Sequence, residues 1–457
     1  NFSFTYKNTY AMTLPGFRPE VGDMFGQKKH GGFLAPGMDF AFGFTGDGYI
    51  DRALQNDWLI CNDSVVSPAS SNALEDLQLR ISLEPIRDLK IDLTANRTRN
   101  RSREIQYMFE GMPDTRSGNF SMSIISIGSA FERPSAGDGY HSGTFERFRR
   151  NLDVIRDRVE SQFLGAQYPQ GSILAGKTFD PANGTISKHS PDVMIPAFLA
   201  AYTGKSARNS ALDFFPSLFS MMPNWRITYT GLTKIAWFKK NFRSVNLNHA
   251  YRSTYSVGSY NTFQSFMSYM GDIGFVEDVQ SGNPIPSSRF DISMVSINEQ
   301  FSPLIGMDAT LKNGLTAKVE YKTSRILNLS MSACQLVETA SRDFVIGLGY
   351  KIVNFNLFSG RNVKDSKNRV SHDLALRADI SFRNQSALCR DIQQGFAQAT
   401  NGNKALKISC SADYTLSRLL TLRLYYDRQQ NTPLVSSSSY PVVSADFGFS
   451  MKFSLTR

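Results

Sequence analysis

From residue 224 to the carboxyl end the chain alternates apolar and polar residues with a period of two, the spacing of a strand whose two faces meet different surroundings. The last segment is the clearest case. Val443, Ala445, Phe447, Phe449, Met451, Phe453 and Leu455 fall on one face, and Ser444, Asp446, Gly448, Ser450, Lys452, Ser454 and Thr456 fall on the other. Leu420, Leu422, Leu424 and Tyr426 repeat the pattern, as do Leu406 to Tyr414, Leu374 to Phe382, Phe344 to Ile352 and Leu315 to Tyr321. Earlier copies run from Leu77 to Leu83 and from Leu89 to Ala95. About fifteen antiparallel strands are predicted in all.

Alternation alone does not name the solvent, because a soluble sheet also alternates when one face packs on a core and the other meets water. Segments of roughly ten residues joined by alternately short and long connections match the layout of a transmembrane β-barrel. With the chain ending in the periplasm, short periplasmic turns are predicted at 300–302, 324–325 and 416–418, and long outer loops at 259–287, 385–404 and 430–441. The Asn313-Gly314 turn on the outer side and the charged stretch 355–370 on the inner side depart from that rule. Tyr321, Tyr414, Phe382 and Tyr426 end their apolar faces where an interfacial aromatic girdle sits. The lipid-facing set therefore includes Leu420, Leu422, Leu424, Phe447, Phe449, Met451 and Phe453. The lumen-facing set includes Lys318, Lys351, Arg377, Asp379, Lys407, Asp413, Arg423, Asp446 and Lys452.

Two stretches break the period. Phe145, Phe148, Leu152, Ile155, Val159 and Phe163 recur at helical spacing, with Arg149 and Asp153, and Arg156 and Glu160, placed for i,i+4 pairing. Asp192 to Phe219, which holds Pro196 and Pro216, reads as two short helices. The organisation predicted is barrel strands over 1–132 with a long Gly/Pro-rich loop at 14–72, a helical insertion at the barrel rim over 133–223, and carboxyl-terminal strands over 224–457. The chain opens in the alternation Phe2, Phe4, Tyr6 with no basic or apolar leader, so it reads as a strand already under way and as the carboxyl-terminal part of something longer.

Composition narrows the function. The longest nearly apolar stretch, Val193 to Tyr202, is about ten residues and contains Pro196, whereas a membrane-spanning helix needs about 20. The formal charge is +10, but no run of Lys and Arg is dense enough for a nucleic-acid patch. The four cysteines, Cys61, Cys334, Cys389 and Cys410, have no metal-ligand spacing. His30, His141, His189, His249 and His372 are scattered, with no HExxH motif, no nucleophile elbow and no phosphate loop. Gly347-Leu348-Gly349 lies inside a strand, where glycine relieves crowding or bends the sheet. Gly46, Asp47, Gly48 and Asp51 read as a tight turn. No enzyme and no cofactor is expected. The polar faces of the six best strands carry eight basic and seven acidic residues, a balance that suits either a wet wall past which a polypeptide slides or simple cross-strand pairing.

Several phrases resemble the carboxyl-terminal region of the SprA/Sov family. They are "NWRITYTGL" at 224–232, "FRSVNLNHAYRSTYSVGSYNT" at 242–262, "SPLIGMDATLKNGLTAKVEY" at 302–321 and "QLVETASRDFVIGLGYKI" at 335–352. Upstream, "LPGFRP" at 14, "APGMDFAFG" at 35, "EPIRDLKIDLTANRT" at 84 and "PDVMIPAFLAAYTGK" at 191 resemble it too. The resemblance implies the outer-membrane translocon of the type IX secretion system of Bacteroidetes, a very large single-chain barrel of which this chain is less than half the wall. It further implies a route for folded, secreted cargo proteins, a PorV-type shuttle barrel and a periplasmic plug protein as partners, and gliding motility as a dependent process. The alternative is a TonB-dependent or porin-type small-solute transporter; a third reading is a soluble β-rich adhesin.

Overall fold

The structure is a computed structural model that describes residues 1–453 apart from 21–26, 31–32, 44, 47, 63–66, 109–113, 133, 354, 356–372, 417–419 and 436–439. The chain is all-β in plan. Strand β1 (Phe2–Thr13) is followed by an excursion that holds a hairpin, β2 (Gln27–His30) with β3 (Phe33–Pro36), and helices α1 (Met38–Ala41) and α2 (Gly48–Gln55). The chain returns as β4 (Ala69–Ile86), β5 (Leu89–Ile105) and β6 (Asp114–Ser123), then leaves for helices α3 (Gly143–Ser161) and α4 (Pro191–Tyr202). Strand β7 (Asn224–Tyr229), helix α5 (Ala236–Asn241) and strand β8 (Phe242–Thr262) come next, followed by a small sheet of β9 (Met267–Met270), β10 (Ile273–Glu277) and β11 (Pro284–Ser288). The rest is β12 (Phe290–Ile292), β13 (Met294–Leu311), β14 (Leu315–Ser330), β15 (Gln335–Ile352), β16 (Leu374–Asp391), β17 (Ala397–Thr415), β18 (Leu420–Pro433) and β19 (Val442–Phe453).

Fourteen strands form one antiparallel sheet in the order β1-β4-β5-β6-β8-β13-β14-β15-β16-β17-β18-β19, with β7 and β12 off that path. This is an up-and-down meander, the layout of a β-barrel wall. Strands β6 and β7 share one lane between β5 and β8: β5 pairs with β7 at Leu89 to Thr94 and with β6 at Arg97 to Ile105. Residues 124–223 are therefore inserted into a break within a single strand position. The break is closed locally, because the Met222 amide donates to the Ser123 carbonyl and the Ser253 amide donates to Asn224 Oδ1 at 2.7 Å.

The strands are longer than the alternation suggests. β13, β15 and β16 have 18 residues each. At about 3.3 Å per residue that is roughly 60 Å, about twice the hydrocarbon thickness of a bilayer. The turns predicted at 300–302 and 324–325 are interior to β13 and β14. Pro303 sits in a bulge between Phe301 and Ile305, where the register shifts and a residue without an N–H costs no ladder bond. With those two turns removed, the Asn313-Gly314 turn falls at the same end of the sheet as the connection between β17 and β18, not at the outer end. Gly314 takes a positive φ of 89° there. The loop predicted over 385–404 is mostly strand, since β16 and β17 pair up to Arg390 and Ala397. Most of the charged stretch 355–370, part of the turn at 416–418 and the alternating residues Ser454, Leu455 and Thr456 lie outside the described residues, as do Asp47 and His372.

Helix α3 buries Phe145, Phe148, Leu152, Ile155 and Val159, and Ser142 caps its first turn by accepting from the Phe145 amide at 3.1 Å. The i,i+4 pairs expected on its other side do not form. Arg149 pairs with Glu146 and donates to the Ile392 carbonyl, Arg156 pairs with Asp157, Asp153 pairs with Lys188, and Glu160 accepts from Thr185. Asp192 to Phe219 contains one α-helix, α4, with Pro196 inside it, followed by a single 3-10 turn at Leu218–Ser220. The two helices pack on each other and on Phe275 of β10 through Phe163, and this helical unit has one core with the sheet.

Candidate functional surfaces of the sheet

Register assigns every long strand to two faces. Tyr321, Phe344, Phe382 and Leu406 form one cross-strand row, and Leu315, Tyr350, Leu376, Ala412, Leu424 and Phe449 another. Between them lie Val319, Ile346, Ile380 and Ile408. The same face continues across the sheet through Met307 and Leu247, then Ile227 and Ile91, and at the far side Leu79 with Phe4. It is one apolar band spanning all the long strands. On β16 it runs from Leu374 to Phe382, about 26 Å along the strand and about 20 Å in height at the usual barrel tilt. Phe447 and Phe449 are 72% and 58% exposed. A shallow hollow of about 330 Å³ in the band is lined by Leu315, Leu348, Leu376, Cys410, Leu424 and Phe447 among others. Leu420, Leu422, Met451 and Phe453 belong to this face as well.

The band stops abruptly at its upper edge. Above Phe344 and Phe382 the same face carries Arg342, Asn384 and Lys404. On β5 it passes from Leu93 and Ala95 to Arg97, Arg99, Arg101 and Arg103, four arginines in perfect alternation that the sequence reading passed over, although the signal stands in the residues 97–103. Arg97 lies over the Phe120 ring and Arg99 over Phe215, Arg101 donates to Glu75 at 2.6 Å, and Arg103 binds both Asp51 and Asp114 at 2.9 Å.

The opposite face holds Lys318, Lys351, Arg377, Asp379, Lys407, Asp413, Arg423, Asp446 and Lys452, each at a register position opposite in parity to the band. Charges pair along and across strands: Lys318 and Lys322 both reach Glu320 at 3.1 and 2.9 Å, Lys351 reaches Asp373 at 2.7 Å, and Arg383 reaches Asp343 at 2.9 Å. Arg423 and Asp413 are 3.6 Å apart. Gly347 and Gly349 serve this face. A Cβ on Gly347 would stand 2.6 Å from Asp379 Oδ1, and one on Gly349 would stand 2.6 Å from Thr316 Oγ1. Their absence of a side chain makes room for neighbours.

Above the band, the apolar-band face is covered. The sequence places the helical insertion over 133–223 and at the rim; in the structure it begins directly after Ser123 and lies flat on the upper half of this face. Val295, Ile297, Leu327, Leu329 and Leu336 bury against it. Two charged clusters stitch the seam. Glu299 accepts from Ser126 at 2.7 Å, Tyr251 at 2.8 Å and Arg325 at 2.7 Å, and Arg325 also donates to the Ser129 carbonyl. Arg390 donates twice to Glu338 and once to the Tyr140 carbonyl. The 14–72 excursion packs similarly on Ala69 and Ile105 through Tyr49, Ile50 and Trp58, and its last residues, Ala69 to Asn72, belong to β4.

Glu132 ties the start of α3 to this seam. Burial disfavours its charge, but hydrogen bonds from Ser142 and from the Thr144 amide and hydroxyl, at 2.9 and 2.6 Å, outweigh burial and hold its carboxyl below the ordinary range. Its folded pKa is thus lower than its unfolded one, so its contribution is present above the unfolded value and is lost as pH falls through the folded one. The helical unit is expected to loosen as pH drops below about 4. Hydrogen exchange at 143–148 followed from pH 6 to pH 3 checks this, and Glu132→Gln should flatten the response.

Among the described residues no group of three or more His, Cys, Asp or Glu stands ready to hold a metal, and all four cysteines are free. No helix of the described residues is long and apolar enough to cross a membrane. No family model and no curated protein matches the chain. Among solved structures it overlaps the β domain of the Bordetella autotransporter BrkA at 6% identity and a TM-score of 0.23, over 86% of this chain and 94% of that one. At so low a score the overlap carries no functional inference.

Proposed function

We propose that this chain is part of the wall of a protein-conducting β-barrel in the outer membrane, the translocon of a type IX secretion system of Bacteroidetes type, passing folded cargo to the cell surface. The observation that carries the membrane half of this reading is the apolar band. A solvent-exposed apolar belt across the long strands, about 20 Å high at the usual barrel tilt and ended by an aromatic-rich row and then a polar one with Arg342 and Lys404, fits lipid contact. A soluble sheet would cover such a belt with a second layer.

The conducting half rests on size and on the resemblance of the quoted phrases to the SprA/Sov family. The sheet is twelve strand positions wide, because β6 and β7 share one and β12 continues that of β13, and 16 to 18 positions already enclose an aqueous channel. Among the described residues β1 pairs only with β4 and β19 only with β18, and lipid tolerates no open edge, so both edges have to be paired in the membrane. The polar face would line the resulting lumen with paired charges of both signs, a surface on which a passing domain finds no strong electrostatic trap. A pore of that width needs gating, for which a periplasmic plug protein and a PorV-type shuttle barrel are the proposed partners.

Deleting the gene tests the proposal. Secreted proteins should accumulate in the periplasm, surface gliding should stop where the cell has it, and uptake of small solutes should be unchanged. Normal secretion with loss of uptake of one nutrient would overturn it in favour of a small-solute transporter.

A further inference from the structure

The helical unit lies on the same face of the sheet as the apolar band. Strand β14 shows it within one element: Leu315, Ala317, Val319 and Tyr321 belong to the band, and Arg325, Leu327 and Leu329, of the same parity, are buried under the helical unit. β15 repeats it, with Ile346 and Leu348 in the band and Leu336 and Glu338 under the unit. The register between β14 and β15 runs without a shift from Leu315 to Ser330, so no bulge swaps the faces. This deduction rests on the membrane reading above: if the band meets lipid, the helical unit stands outside the barrel, against its outer wall just beyond the hydrocarbon, and covers no part of the lumen.

The part of the unit next to β7 carries several exposed apolar side chains. Residues 217–222 descend from the unit to β7, whose Trp225 stacks on Tyr251 at 4.5 Å in the row that also holds Phe301. Phe215 and Met221 turn inward to the core, while Phe219, between them, is 96% exposed, and Leu218 and Met222 are also exposed. Phe131 packs on Phe301 at 5.4 Å and leaves more than half of its surface free. Phe131 thus touches the cross-strand row of Phe301, Tyr251 and Trp225 that lies next above the band, and residues 217–222 run directly into the strand that carries Trp225.

We infer that Phe131, Leu218, Phe219 and Met222 form a membrane-contacting ledge: the helical unit rests on the lipid headgroup region, its apolar side chains dipping into the bilayer interface, and so fixes how deep the wall sits. Lipid is the occupant because the ledge is continuous with the band. Aromatic and aliphatic side chains next to basic rows are what an interface between headgroups and acyl chains accepts.

The test uses the intact protein with its native cysteines replaced by Ala, reconstituted in phosphatidylcholine vesicles, and a single cysteine at position 219, 222, 449 or 450 carrying a fluorophore. Nitroxide lipids labelled at the headgroup or at mid-chain serve as quenchers, and aqueous iodide as the third. Labels at 219 and 222 should be quenched best by the headgroup nitroxide, the label at 449 by the mid-chain nitroxide, and the label at 450 by neither. If 449 responds to lipid but 219 and 222 respond only to iodide, the ledge is wrong and the membrane reading stands. Shielding of 219 and 222 from all three quenchers would mean that a protein covers the ledge, and would overturn lipid as its occupant. A label at 449 that no lipid quencher reaches would overturn the membrane reading itself, and the ledge with it.

Discussion

Replacing Arg390 by Ala is expected to free the helical unit from the sheet at a cost of roughly 3 to 5 kcal/mol. The guanidinium is 1% exposed. It gives Nε and Nη2 to Glu338 at 3.2 and 3.1 Å and Nη1 to the Tyr140 carbonyl at 2.6 Å, and its plane lies over Phe145. Truncation removes all three hydrogen bonds and strands the Glu338 carboxylate, itself buried, without a countercharge. Most of the cost arises from that stranded charge. Arg390→Met combined with Glu338→Leu should therefore recover most of the loss, because two apolar side chains leave no buried charge unpaired and only the Tyr140 carbonyl loses its donor. Hydrogen exchange over residues 140–160 and susceptibility to limited proteolysis between 124 and 223 report the docking directly. If the double replacement loosens the unit as much as Arg390→Ala alone, packing volume and not stranded charge governs the seam.

That seam also shows why only the lower half of each strand was legible in the sequence. Leu374 to Phe382 announces its face because every second residue is apolar. Further along the same strand the same parity carries Asn384, Ser386, Leu388 and Arg390, so the period fades and a loop is the natural reading. The face has not changed; its surroundings have, from the open band to a helical unit that supplies hydrogen-bond partners. Glu299 and Arg325 are neutralised by each other, and Glu338 by Arg390, only once the strands are side by side, and local sequence carries no trace of that pairing. Beside the turn predicted at 300–302 stands Pro303, and a proline at a bulge and a proline at a turn look alike along the chain. Helix α3 was legible because Phe145 to Val159 repeat over several turns. The stretch after α4 was not, since its Phe214 and Phe215 earn their burial from Tyr255, Tyr260 and Phe290, which lie some forty or more residues away. The polar face could be listed residue by residue from alternation alone, because a strand without a bulge keeps parity from end to end.

Phe449→Arg is expected to cost assembly roughly 2 to 4 kcal/mol, the penalty for a cation near the middle of a bilayer on a lipid-facing strand position. Phe449 lies opposite Leu424, in the row that runs through Ala412, Leu376, Tyr350 and Leu315, with Met451 and Phe453 below it and Phe447 above. An arginine there has no carboxylate on its face within the band to pair with, and its stem must bend past two apolar rows to bring the charge to water. The neighbouring Ser450→Arg places the same charge and bulk one residue along, on the face that already carries Arg423 and Lys452, where water and the acids of β17 and β18 can receive it. Its effect should be a few tenths of a kcal/mol, in line with an exposed substitution. The pair is matched in strand and in distance from the strand end, so edge effects cancel in the comparison. Urea titration of the assembled protein in vesicles, read by its resistance to protease, measures both. Equal losses from the two changes would mean that the band does not face lipid, and the alternation that organises this chain would then have to be explained by a covering layer of protein.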